Sequence, residues 1–183
     1  MNIFNKISML CISSCIVLIS SCGNDSEAVD VIEENTYTSV DCSLLSSELN
    51  FISLCMVDPI VVPESNDNMN CQILAFTSDM ESQIYILSIG INNTVDVAKS
   101  NYEADTQLSI VGAENIETTA VDNLGDEAKV QDYSVEDDNY LYLRIRKSNA
   151  VVSITSLLEN GQTLCSHDTS EMISLAQQVL DKL

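Results

Sequence analysis

Positive charge is scarce in this chain. Its 183 residues include 7 Lys and Arg against 28 Asp and Glu, one histidine, no tryptophan, 2 prolines and 5 glycines. So few bases exclude a nucleic-acid binder, which needs clustered Lys and Arg against the phosphates. They also disfavour adhesion to anionic lipid headgroups by charge. Scarce glycine fits the absence of a phosphate loop or a dinucleotide fingerprint. The one histidine stands in Cys165-Ser166-His167-Asp168, which spells the letters of a thiol triad. A nucleophile and its base must meet within hydrogen-bond reach, usually from separate elements, so adjacency in sequence is no site. The densest acids, Asp126-Glu127 and Glu136-Asp137-Asp138, fall where turns are expected and solvated carboxylates are ordinary. Asp67 and its asparagine neighbours lack the glycine and the distal glutamate of a calcium loop. No catalytic residue, cofactor or metal is expected, and the chain reads as non-enzymatic.

What is present at the N-terminus is an export signal. Lys6 precedes an uncharged run from Ile7 to Ile19, then Ser20-Ser21-Cys22. A positive region, an apolar core and small residues before a cut are the parts of a secretory signal peptide. The apolar core is shorter than the ~20 residues that span a bilayer. Leu18-Ile19-Ser20-Ser21-Cys22 reads as a lipobox: residues 1–21 are removed and Cys22 accepts the acyl chains (palmitate among them). Two or three chains hold a protein to the lipid bilayer where one would not, since acyl burial contributes about 0.8 kcal/mol per CH₂. Gly23 stands where an inner-membrane retention signal has Asp, which favours the outer membrane. Cleavage removes one base and leaves 6 against 28 acids, a charge of −22. Residues 22–40 are acidic and lack an apolar period, so they read as an extended tether; residues 41–183 are the globular domain.

Four cysteines remain in the oxidising envelope: Cys42, Cys55, Cys71 and Cys165. An even number there points to two disulfides, with three pairings open. No two of them lie two to four residues apart, the usual spacing of zinc ligands.

Hydrophobic periodicity outlines an α+β domain. Leu44, Leu45, Leu49 and Ile52 share a face of a helix over 41–54 that Asp41 or Ser43 caps. Val57 to Val62 is a short β-branched run, and Glu64 to Asn70 reads as a loop. Cys71–Thr77 and Gln83–Ile91 read as strands, the second apolar on both faces and so central. Thr94–Tyr102 is a short helix, with Leu108–Val111 and Glu117–Val121 weaker strands beyond it. A turn at Asn123–Ala128 leads to a strand near Val130. Tyr140–Arg146 and Ala150–Ser156 form the clearest hairpin, around Lys147-Ser148-Asn149. The terminal helix opens at Asp168, with Glu171 completing a capping box. Met172, Leu175, Ala176, Val179, Leu180 and Leu183 make its stripe.

One face of the hairpin carries Tyr140, Tyr142, Arg144 and Arg146, opposite Leu141, Leu143 and Ile145. Arg144, Arg146 and Lys147 are half of the six bases left after cleavage. Tyr and Arg together are common in contact surfaces, which makes this the candidate surface for an envelope protein partner. Alternation alone predicts something plainer: the solvated face of an antiparallel strand, cross-paired with acids.

Short motifs carry a resemblance. They are Asp41-Cys42-Ser43-Leu44-Leu45, Cys71-Gln72-Ile73, Gly125-Asp126-Glu127-Ala128, Leu143-Arg144-Ile145-Arg146-Lys147-Ser148-Asn149 and Leu175-Ala176-Gln177-Gln178-Val179-Leu180. Across most of 41–183 the chain resembles small secreted bacterial lipoproteins of uncharacterised function with a PsbP-like α/β/α sandwich. The resemblance implies a single domain, an antiparallel sheet flanked by an N-terminal and a C-terminal helix. It also implies a Cys42–Cys71 bridge, leaving Cys55 and Cys165 for each other, and it brings no activity. The expected role is a non-catalytic binding or adaptor module of the envelope. The alternative is a receptor for a small ligand or cation using carboxylates near Asp126 or Asp137.

Overall fold

The computed structural model describes residues 36–51, 59–76, 83–105, 113–136, 138–158 and 169–183. Expectations at Cys22, Cys55, Asp137, Cys165, His167 and Asp168 lie outside the described residues. Within them the order is α1 (Cys42–Glu48), β1 (Ile60–Asp67), β2 (Asn70–Phe76), β3 (Gln83–Ile91), α2 (Val95–Asp105), β4 (Ala113–Ala120), β5 (Glu127–Val135), β6 (Asp138–Lys147), β7 (Ala150–Leu158) and α3 (Thr169–Leu180). The strands form one antiparallel sheet in the order β1-β2-β3-β7-β6-β5-β4. Two meanders therefore meet where β3 pairs with β7, and α2 carries the chain from the middle of the sheet to its far edge.

Period-2 alternation sorts the strand residues between two faces. Ile73, Ala75, Tyr85, Leu87, Leu143, Ile145, Val152 and Ile154 lie on one face and are almost wholly buried. Register aligns them: Ile73 opposes Leu87, Leu87 opposes Ile154, and Ile154 opposes Leu143. Leu45 of α1, Leu49 just after its end, and Met172, Leu175, Ala176 and Val179 of α3 close this core. Each large aliphatic side chain here gains about 1.5–3 kcal/mol by leaving water, before the entropy of ordering it is set against that gain. Across the outer surface Lys182 pairs with Glu48. Ala98 and Tyr102 of α2 pack on Val151, on the opposite face. The result is the expected α+β fold with helices on both sides of an antiparallel sheet.

Several expectations change. Leu44 is 54 % exposed; α1 is only two turns long, and Leu45, with Leu49 just after its end, fills its inner side. Asp41 caps it, its Oδ1 accepting from the Leu44 N–H at 2.9 Å. The stretch read as a loop at 64–70 is strand as far as Asp67. Pro63 and a register shift after Glu64 are tolerated because β1 is an edge strand, with one side of its backbone unpaired. Asp67 then closes the turn to β2, accepting from the Met69 and Asn70 N–H groups at 2.8 Å each. Those hydrogen bonds, Met69 first, and the Asn70 side chain hold its carboxyl below the usual 3.8. The acidic segment is tied down before residue 41. Asn149 receives the Tyr37 N–H on Oδ1 at 2.7 Å and donates from Nδ2 to the Tyr37 carbonyl at 2.8 Å.

Cys42 and Cys71 form a disulfide, Cα atoms 5.3 Å apart, joining α1 to β2 across 29 residues. In the chain-entropy account a loop of that length contributes roughly 3–4 kcal/mol.

Candidate functional site

The four residues of the expected contact surface do share a face of β6, but that face is not solvated. Arg144 and Arg146 are only 9 % and 8 % exposed, because α2 lies over β6 and β7. Tyr140 and Tyr142 stay half-buried, and Tyr140 stacks on Tyr133 with ring centroids 5.1 Å apart. Alternation could not show this, since a lid of low apolar content such as α2 leaves no mark on the strand beneath it.

The two arginines have different surroundings. Arg146 is cross-paired with acids, as expected of antiparallel neighbours. Its Nη1 donates to Asp126 Oδ2 at 2.8 Å and to the Ser148 carbonyl at 3.1 Å, and its Nε to Glu127 Oε2 at 3.5 Å. Asp126 Oδ2 also takes the Ser148 N–H at 2.7 Å, and the Asp126 N–H donates to the Arg146 carbonyl at 2.8 Å. The turn before β5 is thus stitched onto the end of β6. Gly125 sits at φ +66°, and a Cβ there would come within 2.6 Å of the Arg146 carbonyl oxygen. These contacts engage Oδ2 of the Asp126 carboxylate, which stays 40 % exposed.

Arg144 faces inward to α2. Nη1 donates to Tyr142 Oη at 2.7 Å and Nη2 to the Asn101 carbonyl at 3.1 Å. Beside it, Lys129 Nζ lies 4.5 Å from the centroid of the Tyr102 ring. Burial pushes the Tyr102 phenol above its ordinary 10.0, Glu127 adds to the rise, and Arg144 and Arg146 oppose it.

Next to Arg144 the sheet is only partly covered, leaving a cleft of about 510 Å³. Its floor is Ser88 and Gly90 of β3 with Val151 and Ser153 of β7; Arg144 and Asn101 stand at its side. This corrects the reading of β3 as covered on both faces. Tyr85, Leu87 and Ile89 are buried, whereas Ile86, Ser88 and Gly90 are half-exposed. Asparagines fix the rim. Asn101 Nδ2 donates to Asn92 Oδ1 at 2.6 Å, and Asn149 Nδ2 to the Asn92 carbonyl at 2.6 Å.

Sequence reasoning reached Arg144 but missed Ser88, Gly90, Asn101 and Ser153. The available signal was small residues recurring on one parity of otherwise apolar strands. Among the described residues, no group of three or more His, Cys, Asp or Glu could hold a metal ion. No helix there is long and apolar enough to cross a membrane.

No family model matches the chain, and no curated protein matches it. Among solved structures it is similar to the extracellular domain of PknH from Mycobacterium tuberculosis, at 14 % identity and a TM-score of 0.45. The match covers 79 % of this chain and 97 % of that one. A likeness of that size says nothing about activity.

Proposed function

We propose that the protein is a non-catalytic binding module of the bacterial cell envelope, anchored through acylated Cys22, that holds a small ligand in the cleft beside α2. One observation carries the ligand reading: a cleft of about 510 Å³ floored by small side chains, with a buried arginine at its side. That volume lies within the roughly 300–1,000 Å³ of small-molecule sites. Burial of Arg144 and Arg146 favours a small ligand over the protein partner their strand face first suggested. A guanidinium under a helix reaches a molecule that enters the cleft, not a flat surface that docks outside it. The lipobox and the acidic segment after it support the envelope location, with the outer membrane favoured by Gly23.

The intact mass of protein extracted from membranes tests the anchor. The expected mass is that of residues 22–183 plus acyl chains; an uncut or unacylated chain overturns the anchor. Denaturing washed protein after exposure to cell extract tests the binding reading. A compound of metabolite size is expected from the wild type and not from Gly90→Glu, which projects a carboxylate over the cleft floor. No compound, or equal recovery from both, overturns it.

A further inference from the structure

We infer that the cleft is one end of a groove for a short neutral carbohydrate chain, an inference that rests on the cleft being a ligand site. A second depression, of about 260 Å³, is lined by Glu64, Asn70, Gln72 and Ser88 and shares Asn70 and Ser88 with the cleft. Register puts Glu64, Gln72, Ser88, Ser153 and Arg144 directly opposite one another in turn across β1, β2, β3, β7 and β6. Adjacent strands lie about 4.8 Å apart, so the four steps of this row cover roughly 19 Å. Beyond Arg144 the row runs on to Lys129, which lies against Tyr102 of α2 and lines neither depression. The groove thus crosses the sheet from the edge strand β1 to the point where α2 covers β6.

The lining carries no net charge. Arg144 and Glu64 are its charged members among the described residues, one of each sign at opposite ends. Arg144 is also engaged, its Nη1 and Nη2 donating to Tyr142 and Asn101 among further interactions. Between the two ends lie amide and hydroxyl groups: exposed Gln72 and half-exposed Ser88 and Ser153, with Asn70 and Asn101 at the sides. Such groups both donate and accept, as a ligand made of hydroxyls requires. In a chain with 28 acids against 7 bases an anion is disfavoured on approach, and Arg144 in the lining disfavours a cation. The next row along the same face is largely apolar, running through Val62, Leu74, Ile86, Thr155 and Tyr142, with Val62 39 % exposed. A polar line beside an apolar one fits a sugar, whose ring carries hydroxyls on its edge and C–H bonds on its faces. The length of the groove fits several rings in a chain.

Gln72 and Gly90 allow the two halves of the groove to be tested separately, since Gln72 lines only the second depression and Gly90 only the cleft. Gln72 is exposed, and a Cβ at Gly90 meets only Asn70 Oδ1, at 3.7 Å, so substitution at either leaves the packing intact. Full-length protein in a detergent without a sugar headgroup would be titrated calorimetrically with cellotetraose, maltotetraose and chitotetraose. Each is compared with its own monosaccharide, and citrate serves as the charged probe. At least one tetrasaccharide is expected to bind saturably, more tightly than its monosaccharide and unchanged as chloride rises. Gln72→Ala should weaken it about five- to tenfold, the loss of about one hydrogen bond. Gly90→Gln and Gly90→Glu should weaken it equally, because the obstruction is steric and the ligand uncharged. A tetrasaccharide that binds no better than its monosaccharide, or that ignores Gln72→Ala, overturns the extended groove. Binding of citrate alone, affinity that falls with salt, or a much larger loss in Gly90→Glu than in Gly90→Gln overturns the neutral ligand. Silence from every probe overturns the carbohydrate, while the recovery of a compound from cell extract separately decides the ligand site.

Discussion

The same substitution at two glycines should act in opposite directions. Gly125 stands at φ +66°, the left-handed region that costs an L-residue about 1–2 kcal/mol. An added Cβ would also lie 2.6 Å from the Arg146 carbonyl oxygen and 2.7 Å from Ile145 Cγ2. Neither neighbour can retreat cheaply. The carbonyl accepts the Asp126 N–H, and Ile145 is fully buried in the main core. Overpacking of that kind costs typically 1–3 kcal/mol, so Gly125→Ala should lose about 2–5 kcal/mol in all. For a domain of this size that lowers Tm by roughly 5–20 °C. At Gly90 the backbone is ordinary strand and the added methyl has room. Gly90→Ala should therefore gain about 0.4–1 kcal/mol, chiefly by restricting the unfolded chain. Urea unfolding followed by circular dichroism, with the disulfide intact, measures both. The reasoning fails if Gly125→Ala matches the wild type within about 0.5 kcal/mol, or if both variants move the midpoint the same way.

Further expectations follow from the bridge, the ion pair and the edge turn. Replacing Cys42 and Cys71 together by Ala should cost roughly 3–4 kcal/mol; the urea midpoint of the double variant checks it, and an unchanged midpoint refutes it. Asp126→Ala removes the acceptor shared by Arg146 and the Ser148 N–H, and should cost about 1–3 kcal/mol. Asp126→Asn keeps an acceptor oxygen and should cost less; equal losses would mean that charge alone matters there. Asp67 has a folded-state pKa below its unfolded 3.8, so its contribution is complete above pH 3.8 and fades as acid protonates the folded form. An NMR titration of its carboxyl carbon should show a midpoint under 3.8, and a midpoint at or above 3.8 would rule out the turn's hydrogen bonds as its controlling environment.

Local rules made much of this molecule legible from sequence. Asp41 stood before an apolar helical period and caps α1. The stripe from Met172 to Leu180 is buried as its spacing predicts, and the hairpin around Ser148-Asn149 turns where it should. Each of these depends on residues within about ten positions of one another, so period and turn chemistry suffice. The Glu64–Asn70 stretch was misread because polar residues and Pro63 suggest a loop, whereas an edge strand accepts both.

The sequence by itself determined the export signal reading, the acidity and the strand and helix periods. It also determined which residues of β6 share a face. The tertiary structure alone decided what that face meets. α2, barely apolar and some forty residues upstream, covers the two arginines, splits their roles between an ion pair and a cleft, and stops short of Ser88, Gly90 and Ser153. The physical reason is register. Ser88, Ser153 and Arg144 become neighbours only through backbone pairing across three strands, and nothing in the spacing of residues along one strand encodes which residue of another will lie opposite.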